Sequence, residues 1–487
     1  MSEHVFYGDR EGFVGVATRE EVDALNKALT AGYGYSGAPT SFAGGTPLMV
    51  ESLEASLKST TWQMKNLVLW PAIPVDKAYN TVEQYTRITS YGGNGLPYFN
   101  EGGSPREEDS VYNRETQKIV YFGTRRRVSH AMMLVRVAFG DAVAREINNG
   151  NMWLLQNIER ELYLGNSHFS NVGEFDGAPG AIHSDSLAIM GLDQQIRQGD
   201  TDAKVQAVAF DGFGGAETVV RDLADALLSE DEMENGAVSI LNNFGVPVEC
   251  HMDPLALSQF SRQFFPKERI PNMGVADGRA GFVLREFVSS AGAFALKPNV
   301  FMRPKAEAKA TPDNADAPAA PVAPVTANGG ADVGTSFVLN ETYYYKVAAV
   351  NEQGESAASP ASAQETIATA GELITVTITN VTGAKYYAVY RTDDAGATGT
   401  EKFIGYVKAS PGASTVFTDK NKKLPGRAEA FLLYLDPEAM TFKQLAPLSK
   451  INLATVAAAF EWLQVLYGTL IVFTPRKHFI FENIGRN

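Results

Sequence analysis

Apolar positions along the chain change period several times, and each change predicts an element. Thr18-Arg19-Glu20-Glu21 has the pattern in which a Thr hydroxyl and a Glu carboxylate reciprocally satisfy the N–H groups of a helix start. Val22, Leu25 and Leu29 follow at helical spacing, so a short amphipathic helix is expected over residues 18–30, stopped by the glycine-rich stretch 32–45. A second helix is expected around residues 50–58, then an extended, proline-punctuated stretch at 67–74. Residues 81–128 read as a long hairpin, with Val82, Tyr85, Ile88 and Tyr91 on one arm and Val120, Phe122 and Val128 on the other. Its polar tip holds Gly92, Gly93, Gly95, Gly102, Gly103 and Pro105. A loop this long without a core is uncommon in a monomer and makes sense if a neighbouring subunit supplies the packing.

The longest helical pattern covers residues 129–165, where Met133, Val137, Ala144, Ile147, Leu154, Leu155, Ile158 and Leu162 form one stripe. Gly140 and Gly150 each weaken it by about 1 kcal/mol relative to Ala, so packing must hold it. Residues 217–228 read as an amphipathic helix. Residues 246–250 read as a strand entering a helix at Asp253-Pro254, with Asp as cap and Pro at the first position. Residues 282–287 and 300–302 are strand-like. Residues 304–324 then hold five prolines and eight alanines, a linker signature. Short strands at 342–351, 373–378, 385–391, 403–407 and 414–418, separated by Gly, Asp and Asn, argue for a β-sandwich. After Pro425 the texture is mixed again: a strand at 431–435, a helix at 459–466, and strands at 470–473 and 478–481. Residues 304–428 thus read as an all-β insertion into an α+β host whose two halves flank it.

Length and charge narrow the function. At 487 residues the chain is too long for one core and suggests two to three domains. A net charge of −14 argues against a sequence-independent grip on nucleic acid, which needs clustered Lys and Arg. A container for DNA is less affected, because solution cations can neutralise its contents. Cys250 is the single cysteine, so no intrachain disulfide or Cys-based zinc site is expected. Met1-Ser2-Glu3-His4 lacks the start of a signal peptide, and the apolar stretch 460–473 is interrupted by Glu461, Gln464 and Gly468, so a soluble chain with no membrane partner is expected.

No set of residues converges on catalysis. Gly32-Tyr33-Gly34-Tyr35-Ser36-Gly37 matches a dinucleotide-binding spacing but opens no helix. Cys250-His251-Met252-Asp253 offers a thiol, an imidazole and a carboxylate, but adjacent residues seldom converge on one substrate; a buried Cys and a capping Asp are the expectation. His4, His130, His168, His183 and His478 show no metal-ligand spacing. The acidic Glu107-Glu108-Asp109 reads as a solvated or Arg-paired loop. No enzyme, metal or cofactor is expected.

Several stretches, in this order, resemble major capsid proteins of tailed bacteriophages with the Hong Kong 97 fold. Residues 45–62, ending Ser59-Thr60-Thr61-Trp62, resemble the family's N-terminal arm, and residues 81–85 and 121–127 its extended loop. The 129–165 helix resembles its spine helix, and Glu174-Phe175-Asp176-Gly177-Ala178-Pro179-Gly180 the segment that follows it. Gln444-Leu445-Ala446-Pro447-Leu448, Leu466-Tyr467-Gly468 and Pro475-Arg476-Lys477-His478 resemble its final strands. Tyr343-Tyr344-Tyr345-Lys346-Val347, Tyr386-Tyr387-Ala388-Val389-Tyr390-Arg391 and Phe417-Thr418-Asp419 resemble a fibronectin type III or immunoglobulin-like domain.

The resemblance implies an N-terminal arm at 1–80, an extended loop at 81–128, a spine helix with peripheral domain at 129–210, and the first part of an axial domain at 211–303. A linker at 304–329, a sandwich at 330–428 and the remaining axial and peripheral strands at 429–487 complete the division. It implies self-assembly as pentamers and hexamers around double-stranded DNA, in a virion put together in the bacterial cytoplasm with a portal and with scaffold or decoration proteins. Gly92, Gly93, Tyr98, Arg106, Glu107, Glu108, Arg125, Arg126 and Arg127 are the expected intersubunit contacts. Residues 78–117 contain no lysine, so an isopeptide weld of the kind some members make is not expected. Some 44 residues precede the arm, so removal of a long scaffolding segment is not expected either. The sandwich is expected to project outward, where it could meet host-surface glycans; whether Tyr343 to Tyr345 bind sugar or pack the core stays open, with packing favoured. Two other readings stand beside this one: an encapsulin-type compartment enclosing cargo protein, and an adhesion or carbohydrate-binding protein working through the sandwich.

Overall fold

A computed structural model describes residues 61–92, 98–135, 141–165, 189–201, 218–268, 284–303, 307–332, 334–394, 396–454 and 458–485, together with the paired strands His4–Val5 and Ala17–Thr18. The chain divides into two units, residues 1–60 with 135–142 and residues 61–134 with 143–487. The helix expected at 50–58 and the body of that expected at 18–30 lie outside the described residues.

The second unit is organised by a six-stranded sheet in the order Val220–Asp222, Phe479–Ile484, Ala428–Leu433, Glu249–Met252, Gly292–Pro298, Glu286–Ser289. Both of its faces are covered by apolar clusters. Phe431, Leu433 and Ile480 face a core that includes Leu154, Ile158 and Leu162 of the long helix Ala142–Leu164. Leu432, Phe479 and Phe481 face a second core with Met233, Ala237 and Ile240 of helix Glu230–Asn242 and Phe260 of helix Pro254–Glu268. Asp253 accepts from Leu255 N at 3.3 Å, so the expected cap and Pro start are in place. Cys250 is buried between the two helices and the sheet, and burial pushes its thiol up, away from reactivity.

A run of buried polar groups fastens the long helix to the rest. Glu159, fully buried, accepts from Val68 N (3.0 Å), Leu69 N (2.8 Å), Trp70 N (2.8 Å) and Asn299 Nδ2 (2.8 Å). Asn299 Nδ2 also donates to Tyr163 Oη at 3.0 Å, and Tyr163 Oη lies 2.7 Å from His251 Nδ1. His251 Nε2 is 2.8 Å from Glu249, which also pairs with Lys297. Burial opposes the charged form of Glu249, but its bonds to His251 and Lys297 hold it below the usual carboxylate range. One connected chain thus joins the helix, residues 68–70, strand Glu249–Met252 and residues 297–299.

A four-stranded sheet runs Val75–Lys77, Met440–Asn452, Ala459–Val472, Val120–Ser129. It corrects two expectations. Residues 459–466 are not helical: they open a 14-residue central strand paired on both sides, with Trp462, Leu466 and Leu470 buried. Its Ala, Glu, Leu and Gln residues favour helix locally, but two flanking ladders outweigh that preference. The second arm of the hairpin is also displaced. Val82–Ser90 pairs with Val111–Lys118, while the segment carrying Val120, Phe122 and Val128 pairs with Ala459–Val472 instead.

Two shorter corrections follow from backbone chemistry. The helix expected at 217–228 is replaced by edge strand Val220–Asp222 and a turn in which Ala224 (φ 47°) and Asp225 (φ 72°) are both left-handed, which no helix tolerates. The helix begins later, where Ser229 Oγ accepts from Glu232 N at 3.2 Å, a Ser-x-x-Glu start visible in the sequence. Residues 300–302 form a 3-10 turn rather than a strand, capped by Asn299, whose Oδ1 accepts from Phe301 N at 2.9 Å.

The inserted β-unit has two three-stranded sheets, Val325–Ala331/Glu372–Thr379/Ser414–Asp419 and Tyr345–Val350/Tyr386–Arg391/Lys402–Lys408. They close over Tyr343, Tyr345, Val347, Ile374, Val376, Tyr387, Val389 and Phe417. Tyr343 and Tyr345 are fully buried, so they pack the core. The stretch expected as a tether is not one. Residues 325–329 belong to the first strand, and Pro318, Pro321 and Pro324 are buried. Asp313 N donates to Glu355 O (2.9 Å) and Glu355 N to Asp313 Oδ2 (3.0 Å), fixing the segment against the sandwich. The exit is fixed too: Leu424 N donates to Asn483 Oδ1 at 2.8 Å, and Arg427 pairs with Asp225 at 2.6 Å.

Candidate assembly surfaces

Hairpin Val82–Ser90/Val111–Lys118 is a sheet of two strands with one face exposed and the other half-buried. Such a ribbon is marginal in water without cover. It touches the body where Tyr85 meets Phe473 edge-on (ring centres 5.3 Å), Arg87 Nη2 donates to Val472 O (3.1 Å) and Gln117 approaches Thr469 Oγ1 (3.5 Å). Val82, Ile88, Tyr91, Tyr98, Val111 and Tyr112 are exposed along it, Tyr91 and Tyr98 by more than 80%. Apolar exposure on this scale marks a surface that another molecule covers.

The expected contact residues separate into two groups. At the tip, Gly92 lies so close to the opposite side that a Cβ there would meet Glu108 Cβ at 3.2 Å, and Gly93 lies outside the described residues. Tyr98 and Glu107 are exposed, and Arg106 pairs with Glu108 at 3.3 Å. The tip segment 98–110 carries the carboxylates of Glu101, Glu107, Glu108 and Asp109 against the single guanidinium of Arg106.

The arginine trio sits on strand Val120–Ser129, and strand geometry divides it. Arg126 turns inward and pairs with Glu146 of the long helix at 2.9 Å. Arg125 and Arg127 turn outward and share one carboxylate, Glu461, on the facing strand; Arg127 Nε is 3.3 Å from it. The bond from Arg125 holds Glu461 below the usual carboxylate range against the effect of its burial, and the charge of Arg127 adds to that. Both guanidiniums remain more than half exposed, so a second carboxylate can reach them. Glu461 escaped sequence reasoning because its segment was read as helix; a strand there, directly opposite 120–129, would have paired it with Arg127.

Among the described residues no group of three or more His, Cys, Asp or Glu could hold a metal ion, and no helix is long and apolar enough to cross a membrane.

No protein-family model matches the chain. A protein of Enterococcus phage phiEF24C, provisionally named as a major capsid protein, is 24% identical over 477 residues, which is 94% of each chain. The major capsid protein of Staphylococcus phage K is 22% identical over 490 residues, again 94% of each. Among solved structures, the capsid of a native GTA particle overlaps 90% of this chain and 97% of its own at 9% identity, with a TM-score of 0.43. Along almost its whole length, the chain is a sequence relative of phage major capsid proteins.

Proposed function

We propose that this chain is the major capsid protein of a tailed bacteriophage, built on a Hong Kong 97-type α+β fold, and that its pentamers and hexamers form the icosahedral head around double-stranded DNA. The observation that carries the reading is similarity to phage major capsid proteins over 94% of the chain. The projecting hairpin, apolar on surfaces its own chain leaves open, supports it, because a shell of identical subunits would supply the cover. The hairpin lies over a neighbour without a covalent bond, since residues 78–117 contain no lysine. Residues 304–428 form an immunoglobulin-like decoration on the outer face.

Electron microscopy of the purified full chain tests this. Closed icosahedral particles are expected; discrete monomers or dimers under all assembly conditions would overturn it. Particles that enclose cargo protein and no DNA in infected cells would favour the compartment reading, against which the phage relatives weigh. Deleting residues 304–428 is expected to leave assembly intact, and loss of particles on that deletion would end the decoration view.

A further inference from the structure

The two candidate contact groups lie at opposite ends of one extended stretch. From Val111 the chain runs through Lys118 and Val120 to Arg125 and Arg127 with only Ile119 between the two strands. The hairpin base continues alongside strand Ala459–Val472 and Phe473, as the contacts of Gln117, Tyr85 and Arg87 require. At 3.3 Å per residue, the 14 steps from Val111 to Arg125 span about 45 Å. The acidic tip therefore cannot reach the arginine pair of its own chain, although the two are complementary. Arg125 and Arg127 already grip a carboxylate, which shows the chemistry their geometry suits, and two cations over one anion leave a positive surplus.

We propose that the carboxylates of the hairpin tip, Glu107 and Asp109 foremost, dock on the Arg125–Glu461–Arg127 cluster of a second copy of this chain, in a head-to-tail contact. A head-to-tail contact uses two different surfaces on each copy, so it propagates from one copy to the next and closes into a ring when the rotation permits. This inference rests on the shell reading for its biological setting, but the contact is testable without it. Arg126 takes no part, because it faces the long helix.

The experiment uses two full-length variants, a tip variant (Glu107→Lys with Asp109→Lys) and a patch variant (Arg125→Gln with Arg127→Gln), followed by sedimentation and electron microscopy. Each alone is expected to need at least about tenfold more protein than wild type to associate, with the difference narrowing as salt screens the wild-type contact. Mixed one to one, they are expected to form heterodimers and nothing larger, because each retains one half of the contact. Matching thermal unfolding of the unassembled chains shows that neither variant has lost its fold; a tip variant carrying Asp109→Asn alone serves if the reversal misfolds. Association of both variants at wild-type concentrations would overturn the contact while leaving the shell reading intact. Failure of wild type to form shells, with the heterodimer still appearing, would sink the shell reading and spare the contact.

Discussion

Replacing Glu159 tests the buried polar chain that ties the long helix to the segment before the hairpin. In Glu159→Ala four donors lose their acceptor at once: three backbone N–H groups at residues 68–70 and the amide of Asn299. A buried donor left without a partner costs about 1–3 kcal/mol, and stripping one member from a buried charged cluster costs about 3–5 kcal/mol in practice. With the cavity added, a loss of about 5 kcal/mol is expected, comparable to the whole stability of many domains. Glu159→Gln keeps a carbonyl oxygen but turns an NH₂ group toward N–H donors, so it should lose about 2 kcal/mol. Urea unfolding of the unassembled chain measures the order wild type, Gln, Ala. Hydrogen exchange gives the local reading, because the amides of Val68, Leu69 and Trp70 should lose protection before the rest of the sheet does. An Ala variant within about 1 kcal/mol of wild type, or unchanged exchange at those amides, would refute the reasoning.

Three further outcomes follow from single residues. Burial raises the carboxyl of Glu161 from 4.5 to about 7, so the stability held by its protonated form is present below pH 4.5 and lost as pH rises through 7. Glu161→Gln should therefore flatten the decline and gain about 2 kcal/mol at pH 8, after allowing for partial exposure, in melts compared at pH 5 and pH 8. His478 behaves oppositely: burial lowers it from 6.5 to about 3, so the stability of its neutral form is present above pH 6.5 and lost as pH falls toward 3. His478→Gln should weaken that acid limb, which loses up to about 1.4 kcal/mol per pH unit in wild type. Gly150→Ala places a Cβ 1.8 Å from Gln464 Oε1, which is held by the bond of its Nε2 to Ile147 O; a loss of about 1–3 kcal/mol is expected despite better helix propensity, with partial rescue by Gln464→Ala in a double-mutant cycle.

Local chemistry made much of this legible. The sandwich strands announced themselves by alternation and turn residues, and Asp253-Pro254 marked its helix start, because each signal lies within a few positions of the element it defines. Strand Ala459–Val472 was hidden because one of its two ladders comes from Val120–Ser129, far away in sequence, and its own residues prefer helix. Glu159 read as one more polar position on a helix, since its partners are backbone groups some 90 residues earlier. The arginine trio was visible, but its division into an outward pair and an inward single needed the strand, and the carboxylate the pair shares needed the sheet.

The interleaving of the six-stranded sheet has a consequence for the nascent chain. Strand Glu249–Met252 must find Ala428–Leu433, and Val220–Asp222 must find Phe479–Ile484, across the whole sandwich. On the ribosome the sandwich can close first, from contacts within itself, while the host stays open until its last strands have emerged. Long-range pairings of this kind form slowly. A truncated translation product would lack the strands Ala428–Leu433 and Ala459–Val472 that complete both sheets, and with Glu461 missing it would offer no finished arginine cluster to a neighbour.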